Sequence, residues 1–515
     1  MKRRYTLAIV FCFIIVFSDM MAYADDSYNM NKDGYSTSYT YGYDYWGDVQ
    51  ESPDAYRVMI QLDSVNLQLT DKGLSDPQSL FVRGNDLYIV DTGNNRIIKV
   101  TLENGKFIKT GIIDQVIGSE NSTFISPDDV FVDKDNNLYI ADYGNRRVVM
   151  IDENQNFIKE FVKPDDVSFQ LTDGKEKEFL PRKVVADVSG RIYVIAEQVN
   201  EGFVKFESDT TFVGYIGANK VTVDMAEYIR KRWFMSEEQR AVSENFVPTE
   251  YENIFIDEDG FLYATTTTFS EYDLKSDAAK PIRRLNGIGD DILVKNDHYP
   301  PIGDLYWLEG DSSYYGPSKL TDVTVLENDI YVVLDKIRGR LFGYDDQGVM
   351  LWAFGTRGNT MGTFDTPVSV ESMGRYLFAL DSKTKSITVF EPTEYGNLIY
   401  DAINEYQHGE YKESEEKWRE VLKFNANYPL AFRGIGRSSL QEDKYETAMS
   451  YFKKAHDGEN YGRALKLYRK VWVEKNVWWI VLIIAVLLIV PVVTSRVRRM
   501  KWEVIEHERN KANGK

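Results

Sequence analysis

Residues 74–100 read LSDPQSLFVRGNDLYIVDTGNNRIIKV, and residues 124–151 read FISPDDVFVDKDNNLYIADYGNRRVVMI. Both stretches contain a proline, a short apolar strand, a polar turn, a Leu-Tyr-Ile strand and an Asp-x-Gly-Asn element before a further apolar strand. Apolar runs of this length, bounded by Asn, Asp and Gly, are typical of β-hairpins. A phrase that recurs along the chain indicates a repeat architecture. The two stretches therefore predict repeated antiparallel units.

Weaker copies of the same phrase follow at 180–197, 251–267, 320–344 and 364–390. The second strand of each copy begins at Leu87, Leu138, Ile192, Leu262, Ile330 and Leu377, with gaps of 51, 54, 70, 68 and 47 residues. A four-stranded propeller blade takes about 40–50 residues. The sequence therefore predicts a mainly β fold, a six-bladed β-propeller with two enlarged connections, although the blade count is least secure between 180 and 320.

The last blade lacks a fourth strand in the sequence, because the pattern turns helical after Ile387–Phe390. An unassigned apolar strand, Tyr56–Leu62, precedes the first blade. We expect it to complete the last blade, since closing the ring removes exposed sheet edges.

The Pro-x-x-Val/Leu and Leu-Tyr-Ile-x-Asp-x-Gly-Asn-x-Arg phrase resembles the NHL repeat of six-bladed propellers over residues 56–391. The third and fourth copies lack the Asp-x-Gly-Asn element. Because this element recurs with the blades, we interpret it as structural, with Asp and Asn bonding to local backbone and Gly permitting positive φ. Its two full copies are Asp91, Gly93, Asn94 and Arg96, and Asp142, Gly144, Asn145 and Arg147.

Residues 396–475 carry a helical period. Ser414, Trp418 and Val421 recur 34 positions later as Ala448, Phe452 and Ala455. This spacing resembles the tetratricopeptide repeat, and a plain helical stalk is the alternative.

Both ends of the chain point to a membrane. Residues 1–24 combine Lys2-Arg3-Arg4, a short apolar run and Ala22-Tyr23-Ala24, which predicts a cleaved signal peptide; an uncleaved anchor is the alternative. Residues 477–494 are uncharged and predict a transmembrane helix, with a buried core helix as the alternative. Basic residues follow, so we expect residues 495–515 to be cytoplasmic and the preceding domains extracellular.

Composition limits the classes of partner and of cysteine chemistry that the protein can have. The formal charge is -19, and the part between the two end segments carries about -25, which disfavours nucleic acid as a partner. The only cysteine, Cys12, lies in the N-terminal apolar run, so a mature chain without it has no disulfide. This weakly favours a bacterial source.

Aromatic residues mark the candidate binding surface. The connection 223–248 has a helical pattern that includes Trp233, and the connection 296–319 is rich in tyrosine and tryptophan. Aromatic platforms beside carboxylates suit carbohydrate or peptide binding, although the aromatics could instead pack on each other as a cap. The candidate ligand-binding residues are Trp233, Tyr299, Tyr306, Trp307, Tyr314 and Tyr315.

Residues 25–55 hold alternating tyrosines, which predict a strand or an extended strap; a disordered linker is the alternative.

Catalytic motifs are sparse. Of the four histidines only His298 falls within the propeller, so no histidine-cluster metal site, no catalytic residue and no cofactor is predicted. The sequence favours a membrane-anchored extracellular protein that binds a protein or a carbohydrate and acts as a scaffold, with an envelope transport complex as the expected partner. The alternative is a calcium-dependent, lactonase-like hydrolase of propeller fold, which would need carboxylates converging on the central channel.

Overall fold

The computed structural model describes residues 39–166, 169, 177–217, 250–270, 273–274, 279–305, 316–512 and 514. The predicted signal peptide, residues 1–24, lies outside the described residues. The chain divides into two compact units, residues 1–397 and residues 398–515.

The strands occupy most of the first unit. Before the first blade come β1 (Thr40–Tyr43), β2 (Val49–Glu51) and β3 (Tyr56–Leu62). Blades 1 and 2 contain β4 (Ser79–Arg83), β5 (Asp86–Asp91), β6 (Arg96–Glu103), β7 (Lys106–Ile113), β8 (Pro127–Val132), β9 (Leu138–Asp142), β10 (Arg147–Ile151) and β11 (Phe157–Phe161). Blades 3 and 4 contain β12 (Leu180–Ala186), β13 (Ile192–Glu197), β14 (Phe203–Phe206), β15 (Phe212–Ile216), β16 (Asn253–Ile256), β17 (Leu262–Thr265) and β18 (Ile282–Leu285). Blades 5 and 6 contain β19 (Leu320–Val325), β20 (Tyr331–Asp335), β21 (Arg340–Tyr344), β22 (Met350–Phe354), β23 (Pro367–Met373), β24 (Tyr376–Asp381) and β25 (Ser386–Pro392).

Each blade is an antiparallel sheet whose first strand lies innermost. The inner strands contact one another in the order β4, β8, β12, β16, β19, β23 and back to β4. This closed cycle makes the unit a six-bladed β-propeller, as the repeat spacing predicts. The closing strand is also confirmed, because β3 pairs with β25 in blade 6, with Leu62 opposite Ile387.

Apolar side chains hold neighbouring blades together. The middle strands are buried on both faces; Leu138–Asp142, for example, is buried at every position. One cluster joins blades 6 and 1 through Leu62, Leu87 and Phe378, and another joins blades 1 and 2 through Val90 and Ile140. Each sheet packs against a neighbouring blade on both of its faces. The side chains that point to either face of its strands are therefore apolar.

Blade 4 differs from the four-stranded blade that the repeat spacing predicts. Its sheet has three strands among the described residues. The fourth position is taken by a bent segment in which Ile292 N donates to Arg284 O at 2.7 Å. Asp291 accepts hydrogen bonds from the backbone N–H groups of Arg284 and Leu293 through one carboxylate oxygen, which replaces regular strand pairing.

The tyrosine-rich stretch adds strands to blade 5. β1 pairs with β22 through Tyr41 opposite Ala353, and β2 pairs with β1. The blade 5 sheet thereby grows to six strands, so its outer edge is covered by the N-terminal part of the chain.

The second unit is helical. Its helices are α1 (Glu394–Gln407), α2 (Tyr411–Phe424), α3 (Pro429–Gln441), α4 (Tyr445–Lys454) and α5 (Gly458–Ala512), with α1 beginning in the first unit. Consecutive helices from α2 to α5 pack on each other. The side chains of Ser414, Trp418, Ala448 and Phe452 are all buried, so the 34-residue spacing places equivalent residues in the core.

Helix α5 contains the predicted transmembrane segment. It is long and apolar enough to cross a membrane, and none of its most apolar window is buried inside the protein. It is compatible with a single-pass anchor.

Candidate functional site

The two Asp-x-Gly-Asn turns tie blades 1 and 2 each to the segment that precedes the inner strand of the same blade. Asp91 Oδ1 accepts the Ser75 N–H at 2.7 Å, and its Oδ2 accepts Asn94 Nδ2 at 2.9 Å and Arg96 Nε at 2.8 Å. Arg96 also donates to the Lys72 carbonyl at 2.6 Å. Asp91 is fully buried, so its charge is satisfied entirely by these donors.

The second copy repeats the arrangement. Asp142 accepts the Ile125 N–H at 2.9 Å, Asn145 Nδ2 at 2.7 Å and Arg147 Nε at 3.0 Å. Blade 5 keeps the aspartate and the arginine of the motif, because Asp335 pairs with Arg340 and accepts the Lys319 N–H. Blade 6 keeps the aspartate, and Asp381 accepts the N–H groups of Asp365 and Thr366.

The glycines of this motif have a different role from the one predicted. The positive φ angles fall two residues later, at Asn95 (55°) and Arg146 (59°). A Cβ on Gly93 would lie 2.7 Å from the Ser75 carbonyl oxygen, and one on Gly144 would lie 2.7 Å from that of Ile125. Glycine is therefore required because two backbone segments approach closely.

A ring of polar side chains surrounds the propeller axis. Each inner strand places a polar residue opposite the same position of the second strand, so the six positions are structurally equivalent; the residues opposite are Val90, Ala141, Ile195, Thr265, Leu334 and Leu380. We call this set the axial ring: Ser79, Asp129, Lys183, Asn253, Asp322 and Ser369. In four blades the pairing register shifts immediately before this position, as in a β-bulge, which re-aims the side chain.

Lys183 is the cation of the axial ring. Its Nζ lies 3.6 Å from Asp129 Oδ1 and 3.0 Å from Ser79 Oγ. Since Lys183 belongs to blade 3 and Ser79 to blade 1, the side chain reaches past blade 2. Burial lowers the pKa of Lys183, but the charges of Asp129, Asp322 and Asp128 outweigh burial and raise that pKa. The residue is therefore a fixed ammonium.

Two carboxyl groups complete the centre. Burial raises the pKa of Asp322 to about 6, against the opposing charge of Lys183 and a hydrogen bond from Val370 N at 2.7 Å. Burial, and then the negative charge of Asp322, raises the pKa of Glu371 well above its usual range. Glu371 lies two residues beyond Ser369 on the same strand, and its carboxyl group contacts Thr324 Oγ1 at 3.3 Å. The centre therefore holds the Lys183 ammonium beside three carboxyl groups, those of Asp129, Asp322 and Glu371, whose pKa values burial raises.

Charged side chains of both signs surround the axis next to the Asp-x-Gly-Asn turns. Arg182 is half-exposed and donates to Asp128 Oδ2 at 2.9 Å. Lys336 Nζ lies 2.6 Å from Glu252 Oε1, and Glu197 accepts the Tyr143 hydroxyl at 3.0 Å. We call these residues the mouth: Asp128, Arg182, Glu197, Glu252 and Lys336. They immediately precede the axial ring or follow the second strands, so they lie on one face.

A buried cluster holds the tyrosine-rich strand against blade 5. The Asp304 carboxylate accepts hydrogen bonds from the hydroxyls of Tyr41 and Tyr43 and pairs with Arg340 and Arg338. Burial raises the pKa of Asp304, but the two guanidinium groups outweigh it and hold the pKa below its usual value. Every partner is internal, so this cluster is a structural lock.

The predicted ligand-binding aromatics fall mostly outside the described residues. This applies to Trp233, Tyr306, Trp307, Tyr314 and Tyr315. Tyr299 is described: its hydroxyl donates to the Tyr45 carbonyl at 3.1 Å, and its ring packs near Leu274, Ile302 and Leu305. The structure thus places Tyr299 against the tyrosine-rich stretch, and its part in ligand binding remains a prediction.

Sequence reasoning did not identify the axial ring. A signal was present, because Ser79, Asp129, Lys183 and Ser369 each stand two residues after the proline of a repeat. A polar residue at a fixed position in an otherwise apolar strand indicates a side chain that does not pack in the hydrophobic core.

The first unit is a six-bladed β-propeller whose polar axis holds one lysine and three carboxyl groups. No protein-family model matches the chain, and no curated protein matches it. Among solved structures, it is similar to virginiamycin B lyase from Staphylococcus aureus, with 12% identity over 66% of this chain and 100% of that chain and a TM-score of 0.37. It is also similar to a protein of unknown function from Bacteroides thetaiotaomicron, with 11% identity over 64% of this chain and 72% of that chain and a TM-score of 0.38. Similarity at this level carries no argument about activity.

Proposed function

We propose that this chain is a membrane-anchored binding and scaffold protein, whose propeller recognises a protein or carbohydrate partner outside the cell. The mouth is the observation that supports this proposal. It combines charges of both signs on one face of a closed ring: Arg182 and Glu197 are exposed, whereas Glu252 and Lys336 are half-buried and Asp128 is buried. Such surfaces give a binding partner register and specificity through complementary charge.

The charges of the mouth are held in place rather than mobile. Arg182 and Asp128 belong to the inner strands of adjacent blades, and Glu252 and Lys336 belong to blades 4 and 5. Because the strands themselves fix the side chains, little conformational entropy is lost on binding. The enlarged connections 223–248 and 296–319, which we expect on this face from the repeat order, lie largely outside the described residues, and the role of their aromatic residues remains a prediction.

The NHL-like repeat and the tetratricopeptide-like helices belong to the same proposal. Both architectures supply extended recognition surfaces built from repeated units. The predicted signal peptide and the α5 span would place the propeller and helices α1 to α4 outside the cell, with residues 495–515 in the cytoplasm. An envelope transport complex is the partner class we favour.

The alternative, a calcium-dependent hydrolase, fits the axis poorly. Carboxylates do converge there, as that function requires. However, Ca²⁺ takes six to eight oxygen ligands, and here the Lys183 ammonium lies beside Asp129 and supplies the positive charge that a calcium ion would bring. Within the described residues, no three His, Cys, Asp or Glu side chains are arranged to hold a metal ion.

Charge reversal at the mouth tests the binding function. The full-length double variant R182E/E252K should recover several-fold less partner than wild type in affinity purification from membranes, because complementary charges become repulsive. The matched control is E103K/K106E, which exchanges two exposed charges at the β6–β7 turn, where Glu103 lies opposite Lys106. Equal recovery by all three proteins would refute the mouth as the binding face.

A further inference from the structure

The second unit carries a compact group of basic residues directly after its apolar run. Arg496, Arg498, Arg499 and Lys501 lie on α5, which is continuous from Gly458 to Ala512. All four side chains are exposed. We call these four residues the basic collar.

The collar occupies one narrow level along the helix. At a rise of about 1.5 Å per residue, its members span about 7.5 Å. That matches the headgroup layer of one leaflet, since a bilayer of about 40–45 Å contains a hydrocarbon core of about 30 Å. At about 100° per residue the side chains project in several directions around the helix, so the collar can meet lipids on more than one side.

Between the apolar run and the collar lie two residues whose side-chain hydroxyl groups form hydrogen bonds within the helix. The Thr494 hydroxyl donates to the Pro491 carbonyl at 3.0 Å, and the Ser495 hydroxyl donates to the Val492 carbonyl at 2.8 Å. Polar groups satisfied inside the helix can lie at the edge of the hydrocarbon without cost. This arrangement sets the collar at the level of the lipid phosphates.

A second basic group on the other side of the run is built differently. Lys466, Arg469, Lys470 and Lys475 carry the same number of charges over about 14 Å of helix. The start of α5 packs on α4 through Ala464 and Leu467, so this group belongs partly to the folded helical unit. Its charges are spread over about twice the depth of the collar.

We infer that the basic collar is a binding site for the headgroups of anionic phospholipids. The inference rests on the proposed membrane anchor. Arginine suits this ligand, because its guanidinium group can donate two parallel hydrogen bonds to one phosphate. Three of the four collar residues are arginine, whereas three of the four residues in the other group are lysine.

Lipid co-purification tests the inference. Wild type, the collar variant R496Q/R498Q/R499Q/K501Q and the control K466Q/R469Q/K470Q/K475Q are reconstituted as full chains in bilayers with equal amounts of phosphatidylglycerol and phosphatidylcholine. They are then extracted with a mild detergent, and the retained lipids are quantified by mass spectrometry. The collar variant should retain about fivefold less phosphatidylglycerol per protein, since each basic residue near the surface attracts anionic lipid. The control should stay within about twofold of wild type.

The outcomes separate the lipid site from the anchor. A collar variant that retains as much phosphatidylglycerol as wild type, or a control that loses as much as the collar variant, would overturn the collar as a specific site. Alkaline extraction of cell membranes is the second readout. Release of wild-type protein into the soluble fraction would overturn the anchor and the lipid site together, whereas retention in the membrane with unchanged lipid overturns the site alone.

Discussion

Gly93 and Gly144 stand where two backbone segments nearly touch, and each is followed two positions later by a residue in the left-handed region. The aspartate of each turn accepts the backbone N–H of the segment that leads into its own inner strand. The motif therefore fixes the start of the inner strand, and with it the height of the axial ring. A turn that recurs for packing thereby positions Ser79 in blade 1 and Asp129 in blade 2, which differ in charge.

Replacing Gly144 by alanine tests this role of the glycine. The added Cβ would meet Ile125 backbone and side-chain atoms at under 3 Å, so G144A should lower the free energy of unfolding by about 2 kcal/mol. Chemical denaturation measures the change. The control is G287A, where a Cβ would have no atom within 4 Å. Equal stability of G144A and G287A would contradict the close-approach explanation.

The axial carboxyl groups predict how stability depends on pH. The pKa of Asp322 is raised in the folded state, so its contribution to stability is present below its unfolded pKa and is lost as pH rises through about 6. Moving from pH 7 to pH 5 should therefore stabilise the protein by about 1 kcal/mol through Asp322 alone. Glu371, whose pKa is raised further, adds in the same direction.

The double variant D322N/E371Q should remove most of this pH dependence, as measured by denaturant titration at each pH. D135N, a change in the exposed β8–β9 turn, is the matched control. If the variant keeps the slope of wild type between pH 7 and pH 5, the two buried carboxyl groups are not its source.

At the scale of elements, the N-terminal part of the chain contributes two strands to the propeller: β3 closes blade 6 and β1 extends blade 5. Both could be read from the sequence, because Tyr56–Leu62 is an apolar strand without a blade and the tyrosines of 39–45 alternate. The sequence did not predict which sheet β1 joins. Its placement depends on Asp304 and Arg340, which lie far away in the chain and meet Tyr41 only after folding.

The irregular fourth position of blade 4 also escaped prediction, for a related reason. The segment Asp290–Leu293 looks like any short strand, but Asp291 competes for the backbone N–H groups that a strand would offer to its neighbour. Repeat spacing predicts how many blades form. It does not predict local hydrogen-bond competition.

Ring closure can be tested within one strand. Leu62 is 1% exposed and belongs to the apolar cluster that joins blades 6 and 1, whereas Met59 on the same strand is 37% exposed. L62A should cost about 2–4 kcal/mol of stability, and M59A less than about 1 kcal/mol. Thermal unfolding compares the two variants. Similar losses would mean that β3 does not close the ring through its buried face.

The helical unit offers a contrast between two glycines. A Cβ on Gly434 of α3 would lie 2.3 Å from the buried indole of Trp418, whereas one on Gly462 of α5 would meet nothing within 4 Å. G434A should destabilise this unit by about 2 kcal/mol. G462A should stabilise it by up to about 1 kcal/mol, because alanine favours helix. Circular dichroism at 222 nm follows both; a stabilising G434A would contradict the packing of α2 on α3.

At the scale of the whole molecule, the chain combines a rigid acidic propeller with a helical unit that ends in an apolar span. The charge of about -25 between the two end segments and the basic collar beyond the span lie on opposite sides of residues 477–494. The positive-inside rule counts only basic residues near a span, and Lys466, Arg469, Lys470 and Lys475 precede residues 477–494 as the basic collar follows them. The orientation we propose, with the propeller outside and residues 495–515 in the cytoplasm, therefore rests on the predicted signal peptide. Recognition at the mouth requires that orientation.

Site-directed labelling of intact cells tests this central claim most directly. In a background that lacks Cys12, a single cysteine is placed either at Ser208, in the exposed β14–β15 turn, or at Lys511, near the end of α5. A membrane-impermeant maleimide should label the S208C protein on intact cells, and it should label the K511C protein only after the cells are permeabilised. Labelling of K511C but not S208C on intact cells would contradict the proposed extracellular binding function.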